Sequence, residues 1–142
     1  MSYDVYERAR QEAVEEADPL ELVVMLYEGA LTSVRSARSH LAAGRIRERS
    51  RDITKATEIV LELSRSLAVQ ADADLAMQLK HLYAYVLDQL REGNFRQQDK
   101  PLAEAQKVLE VLADAWRQCR RTLLPAFLPE TPAAGYFASR SA

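Results

Sequence analysis

His40, His81 and Cys119 are the residues of this 142-residue chain best suited to hold a metal or attack a substrate. A helical bundle can bind two metals through Glu and Glu-x-x-His motifs. Three residues before the histidines, however, stand Ala37 and Gln78, and no H-E-x-x-H occurs. Both histidines read as helix-surface residues. Cys119 lies three residues after Trp116 on an apolar repeat, where burial would raise its pKa and leave it inert. The four glycines are scattered, so there is no phosphate-cradling loop, dinucleotide fingerprint or nucleophile elbow. The reading is a protein that is not an enzyme and takes no metal or cofactor.

The segment RIRERSRDITK carries Arg45, Arg47, Arg49, Arg51 and Lys55, with Glu48 and Asp52 interleaved. Spacing by two spreads the arginines around a helix. Four arginines at a helix start also oppose the helix dipole, a conflict the sequence does not explain. With a formal net charge of −2, no global field recruits nucleic acid or an anionic membrane. The segment reads as a solvated helix start.

Positioning falls to four helices with heptad-like seams. The first runs from Asp18, a capping residue before Pro19 and Glu21, to the stop at Gly44. Its seam is Leu20, Val23, Tyr27, Ala30, Val34, Ala37 and Leu41. The second spans about Ile46 to Val69, with Ile46, Ile53, Ala56, Val60, Leu63 and Leu67 inward and Arg49 interrupting. The third begins after Asp72, ends at Glu92–Asn94, and turns Leu75, Leu79, Leu82, Val86 and Leu90 inward. The fourth starts at Asp99–Leu102, with Leu102, Ala105, Leu109, Leu112, Trp116, Cys119 and Leu123 inward. Four such helices with short connections predict an all-α, antiparallel up-down four-helix bundle over residues 18–123.

Residues 1–17 form a polar, helix-prone N-terminal arm or cap. Residues 124–142 hold three prolines and read as a flexible, mostly disordered tail. A single cysteine, a charged N-terminus and no apolar run long enough to cross a bilayer point to the cytoplasm, with no direct membrane insertion.

One stretch exceeds what a bundle helix needs. In DPLELVVMLYEGAL, the seam leaves Leu22, Val24, Met25, Leu26 and Leu31 over, and Glu21 and Glu28 make only a narrow polar stripe. Three readings stay open: this end of the helix is deep in the bundle, the N-terminal arm covers it, or it lines a groove for a partner's amphipathic segment. Tyr83 and Tyr85, two apart on a helix, cannot both face the core, so one belongs to the surface or to a groove.

Tyr6, ADPLELVVMLYEGAL, KATEIVLEL, LYAYVLDQL and Trp116, in that order and spacing, resemble the FliS family, flagellin-specific export chaperones of bacterial flagellar secretion. The likeness covers about residues 3–121. Its most specific part is P-x-E-L-x-x-M-L-Y-x-G, carried by Pro19, Glu21, Leu22, Met25, Leu26, Tyr27 and Gly29. The resemblance implies a cytoplasmic chaperone that binds the disordered C-terminal segment of flagellin, prevents premature polymerisation and keeps it competent for type III export. It further implies presentation of the loaded complex to the membrane export gate. Tyr6 matches the family's N-terminal tyrosine as anchor of the arm. Tyr6, Leu22, Met25, Leu26, Tyr27, Tyr83 and Tyr85 are the expected partner-binding residues. The segment VQADADLAMQL lacks the glycine pair common there in the family, and the tail is longer than usual. The alternative is a self-associating structural bundle, a homodimer burying its apolar stripe in a symmetric interface.

Overall fold

The connections between helices dictate much of the architecture. In a computed structural model, helix α1 is Pro19–Ala42, α2 is Ile46–Gln70, α3 is Ala73–Arg96 and α4 is Asp99–Phe127. The structure describes residues 7–8, 19–70 and 73–127, with side chains at 7–8, 20–66 and 73–119. The expected cap at Asp72 and the arm lie outside the described residues, save Glu7 and Arg8, which are helical. So does the tail beyond Phe127.

Two compact units are present. The larger, Leu26–Leu112, contains parts of all four helices. Side-chain bonds within it order them. Ser36 and His40 of α1 meet Asp52 of α2, and Arg49 of α2 meets Asn94 of α3. Tyr85 of α3 meets Glu104 of α4, and Arg38 of α1 meets Asp99 of α4. The ring α1–α2–α3–α4 is thereby closed, and each neighbouring pair is antiparallel. Tyr27 of α1 and Tyr83 of α3 join across the diagonal. The fold is an all-α four-helix bundle. Among its described residues, the smaller unit consists of Glu7 and Arg8, the first turns of α1, Pro19–Met25, and the last part of α4, Ala113–Phe127.

Backbone chemistry ends the helices. Gly44 takes φ 74°, and the N–H groups of Gly44 and Arg45 donate to the carbonyls of Leu41 and His40. That is a Schellman cap, which gives orphan carbonyls of the last turn their partners. At the end of α3 the left-handed residue is Gln97, φ 54°, and Gln98 N–H donates to the Gly93 carbonyl. The helix therefore stops after Arg96, past the expected end at Glu92–Asn94. Gly93 is not a stop signal. It is buried inside α3, where an added Cβ would lie 2.5 Å from Leu102 Cδ2 and 2.7 Å from Cγ. Its missing side chain lets α4 approach. The backbone of α4 runs through Pro125 to Phe127, although proline supplies no N–H for the last turn.

Packing depth differs between helices. The buried residues of α1 are Leu20, Leu22, Val23, Leu26, Tyr27, Ala30, Leu31, Ser33, Val34 and Ala37. At about 100° per residue they cover an arc of about 180°. This half-circumference explains most of the apolar surplus in the opening stretch: Leu22, Leu26 and Leu31 are core, while Val24 and Met25 are half-buried. In α3 the buried residues are Leu79, Tyr83, Val86, Leu90 and Gly93, an arc of only about 80°. The α3 seam thus differs from the expected one. Tyr83 replaces Leu82, and Leu82 and Leu75 are 38% and 42% exposed. The step from 79 to 83 aligns the seam with Gly93, the point of close approach to α4. Ile46 is likewise exposed rather than inward. In the smaller unit, Trp116 and Cys119 are only half-buried, so Cys119 is not the enclosed thiol its seam position suggested.

Candidate functional site

Among the described residues, no group of three or more His, Cys, Asp and Glu could hold a metal ion. His81 is exposed. His40 Nδ1 lies 2.7 Å from Asp52 Oδ2, which also accepts from Ser36 Oγ at 2.8 Å. Both bonds end on the same carboxylate oxygen and tie the last two turns of α1 to α2. The serine and the histidine bond to the aspartate and not to each other, so this is no nucleophile–base pair.

Charged groups on α1 and α4 surround an open depression of about 460 Å³ lined by Arg35, Arg38, Ser39, Ala42, Asp99 and Gln106. Its strongest cation is already occupied. Arg38 donates Nε and Nη2 to the two Asp99 oxygens at 2.7 and 2.8 Å, and Nη1 to Gln106 Oε1 at 2.8 Å. That fork holds the Asp99 carboxyl below the usual carboxylate range and the Arg38 guanidinium above its ordinary value. Glu110 accepts from Gln106 and from Arg35, and these bonds lower its pKa too. The depression is a polar clasp between α1 and α4.

Arg49 explains the interruption in the α2 seam. It is 4% exposed, and its Nε donates to Asn94 Oδ1 at 2.9 Å while Nη2 reaches the Asn94 carbonyl at 3.4 Å. That carbonyl belongs to the last turn of α3, where a cation is favoured by the helix dipole. The arginine sits unfavourably for its own helix and favourably for the end of its neighbour.

The described surface is most unusual where apolar side chains stay in water. On α3, Leu75, Leu82 and Tyr85 are 42%, 38% and 41% exposed. They fall within about 80° of arc on one flank. Tyr85 sets the direction of that flank, because its hydroxyl donates to Glu104 of α4 at 3.0 Å, a bond that raises the phenol pKa. On the facing flank of α4 lie Val108 and Leu112, half-buried, with Val111 62% exposed beside them. Adjacent helices thereby present a two-sided, mainly apolar strip, with exposed Gln78 on the arc between Leu82 and Tyr85. Contiguous exposed apolar surface marks sites of interaction with protein or lipid.

The expected partner-binding residues are placed differently from one another. Tyr6 lies outside the described residues. Leu22, Leu26, Tyr27 and Tyr83 are buried. Met25 is half-buried, and Tyr85 is exposed. Tyr27 and Tyr83 come together: their hydroxyls are 2.6 Å apart and their rings 6.4 Å apart, tilted at 45°. Tyr83 takes the core and Tyr85 the surface, which resolves the pair that cannot both turn inward. The heptad spacing places Leu75, Leu82 and Leu112 on seams, whereas Val108 and Val111 lie outside the α4 seam. The available signal was the second period in α3, 79-83-86-90-93, which competes with 75-79-82-86-90 and leaves Leu82 outside.

Geometry therefore defines a class: a helical bundle whose exposed apolar strip is suited to binding another chain. The family model described as Flagellar protein FliS matches residues 2–123, and the chain belongs to that family. It is 29% identical over 109 residues to the flagellar secretion chaperone FliS of Salmonella typhimurium, covering 76% of this chain and 81% of that one. The flagellar secretion chaperone FliS of Bacillus subtilis is 28% identical over 113 residues, 80% of this chain and 84% of its own. The flagellar secretion chaperone FliSB of Pseudomonas aeruginosa is 30% identical over 112 residues, 78% and 89% of the two chains.

Proposed function

We propose that this chain is a flagellar secretion chaperone of the cytoplasm whose client is the disordered C-terminal segment of flagellin. The single observation that carries the reading beyond family membership is the apolar strip of Leu75, Leu82 and Tyr85 on α3 beside Val108, Val111 and Leu112 on α4. An amphipathic segment folding along it would bury apolar faces on both sides, as helix-in-groove recognition does. The chaperone supplies a surface, and the polar bonds of Arg38, Asp52 and Arg49 tie its helices together. Bound client cannot polymerise, and the loaded complex would be presented to the export gate.

Within this reading Tyr85 contacts the client directly. Met25 is a second, adaptable contact on the first turns of α1. Leu22 and Leu26 are packed in the core, and in this reading they support the first turns of α1 that Tyr6 and the arm are proposed to guard. Tyr27 and Tyr83 act by holding α1 to α3. No helix among the described residues is long and apolar enough to cross a membrane.

Calorimetric titration with a peptide of the host's C-terminal flagellin segment tests the proposal. One-to-one binding with a large negative heat-capacity change is expected, because apolar area is buried as the peptide folds. Leu82→Glu and Met25→Glu should each weaken it while leaving helicity intact. Absence of binding, both by the full chain and by a version lacking residues 1–17, would sink the reading. A light-scattering mass that doubles with concentration, with no peptide binding, would instead favour self-association through the strip.

A further inference from the structure

Arg45, Arg47 and Arg51 are exposed at the start of α2, and none has a side-chain partner among the described residues. Neighbouring cations differ: Arg38 pairs with Asp99, Arg91 with Asp88 and Arg96 with Glu92. The bonds that lock α2 onto α3 decide what the unpaired arginines stand beside. Ser50 Oγ and Arg49 Nε both donate to Asn94 Oδ1, at 3.2 and 2.9 Å. Arg47 and Arg51, one turn apart, form a single stripe on α2 flanking Ser50. Arg91 and Phe95, one turn apart, flank Asn94 on α3. Ile46 opens α2 at the same level.

Phe95 is 83% exposed and Ile46 57% exposed. Neither fills space in the core, so the fold gives no reason for an apolar residue at either place. The nearby carboxylates do not cancel the charge. Glu92 is taken by Arg96, and Asp88 by Arg91. Glu48 points away from the Arg47–Arg51 stripe by about 60–100°, and Glu58 lies about 10 Å further along α2.

We propose that this end of α2 and α3 is a docking surface for an acidic segment of a partner protein. Its carboxylates would engage Arg47 and Arg51, and an apolar side chain would cover Ile46 and Phe95. The guanidinium fork matches a carboxylate in two parallel bonds. Arginine beside a large aromatic is also the composition of energetically dominant interface residues. A polyanion is the poorer fit. Nucleic acid and anionic membranes are held by many cations, whereas this patch has few and the whole chain has a net charge of −2. The surface is built from the opposite end of α3 to Leu75 and does not depend on the flagellin reading.

The test is fluorescence anisotropy of the full chain with a short labelled peptide in which glutamates flank a Phe-Leu pair. The same peptide with glutamines, phosphatidylglycerol vesicles and single-stranded DNA serve as comparators. The acidic peptide should bind, more weakly as salt rises. It should lose at least about tenfold in affinity with Arg47→Glu/Arg51→Glu, and several-fold with Phe95→Ser. These residues are exposed, so thermal melts of the variants should match the parent. Failure of the acidic peptide to bind would overturn the proposal. So would binding that survives both changes, or tighter binding of the glutamine peptide, vesicles or DNA.

Discussion

Replacing Gly93 with alanine separates two physical effects of opposite sign. In an unobstructed helix the change would stabilise by about 1 kcal/mol, because glycine carries a larger backbone entropy cost. Here the new Cβ would sit 2.5 Å from Leu102 Cδ2, 2.7 Å from its Cγ and 3.3 Å from the Gln98 carbonyl oxygen. Leu102 is fully buried, so its side chain has little room to retreat, and one of the crowded atoms is the branch carbon. Overpacking of this kind costs about 1–3 kcal/mol. With two side-chain contacts well inside van der Waals distance, the upper part of that range applies, and the net loss is about 1–2 kcal/mol. Urea unfolding followed by far-UV circular dichroism measures it as a shift in midpoint at constant slope. A cycle with Leu102→Ala sharpens the test. That change alone should cost about 2–5 kcal/mol by leaving a cavity. The double variant should cost less than the sum by about 1 kcal/mol or more, since the added methyl group occupies part of the vacated space. A stabilising Gly93→Ala, or strict additivity, would refute the account of how α3 and α4 approach.

Three further outcomes follow from backbone, burial and charge. Gln97→Gly should raise stability by about 1 kcal/mol in the same urea assay, because Gln97 holds φ 54°, where a Cβ is strained. Arg49→Ala should cost about 2–4 kcal/mol, since it strips the Asn94 side chain and carbonyl of a buried donor, while Arg47→Ala stays within about 0.5 kcal/mol; equal effects would contradict the buried role of Arg49. Asp99 has its pKa lowered mainly by the Arg38 hydrogen bond, so the stability it contributes is complete at neutral pH and is lost as pH falls through its folded value. Asp99→Asn should therefore show a shallower loss of melting temperature below about pH 4 than the parent, and an unchanged slope would remove the clasp from the stability argument.

Helix existence was legible because it rests on local rules. Pro19 and Glu21 at one start, Gly44 at the first stop and Asp99 at the last start are side-chain and backbone chemistry that acts within one turn, and the helices begin and end there. The stop of α3 escaped the same logic. Gly93 resembles a terminator by type, but its value lies in the space it leaves for Leu102, a residue on another helix. Gln97, which does take the left-handed conformation, carries no compositional mark.

By itself the sequence determined four amphipathic helices, short antiparallel connections and the blocks that resemble FliS, because periodicity and capping are properties of neighbouring residues. Only the tertiary structure decided which face of each helix lies deepest. A seam of period 3.5 admits two offsets on α3, and the choice of Tyr83 over Leu82 depends on Tyr27 across the bundle and on close approach at Gly93. That choice sent Leu82 and Tyr85 outward, so the apolar strip is a consequence of packing rather than a pattern along the chain. Arg49 follows the same physics: a positive charge at the start of one helix is unfavourable until another helix brings its terminal carbonyls within reach.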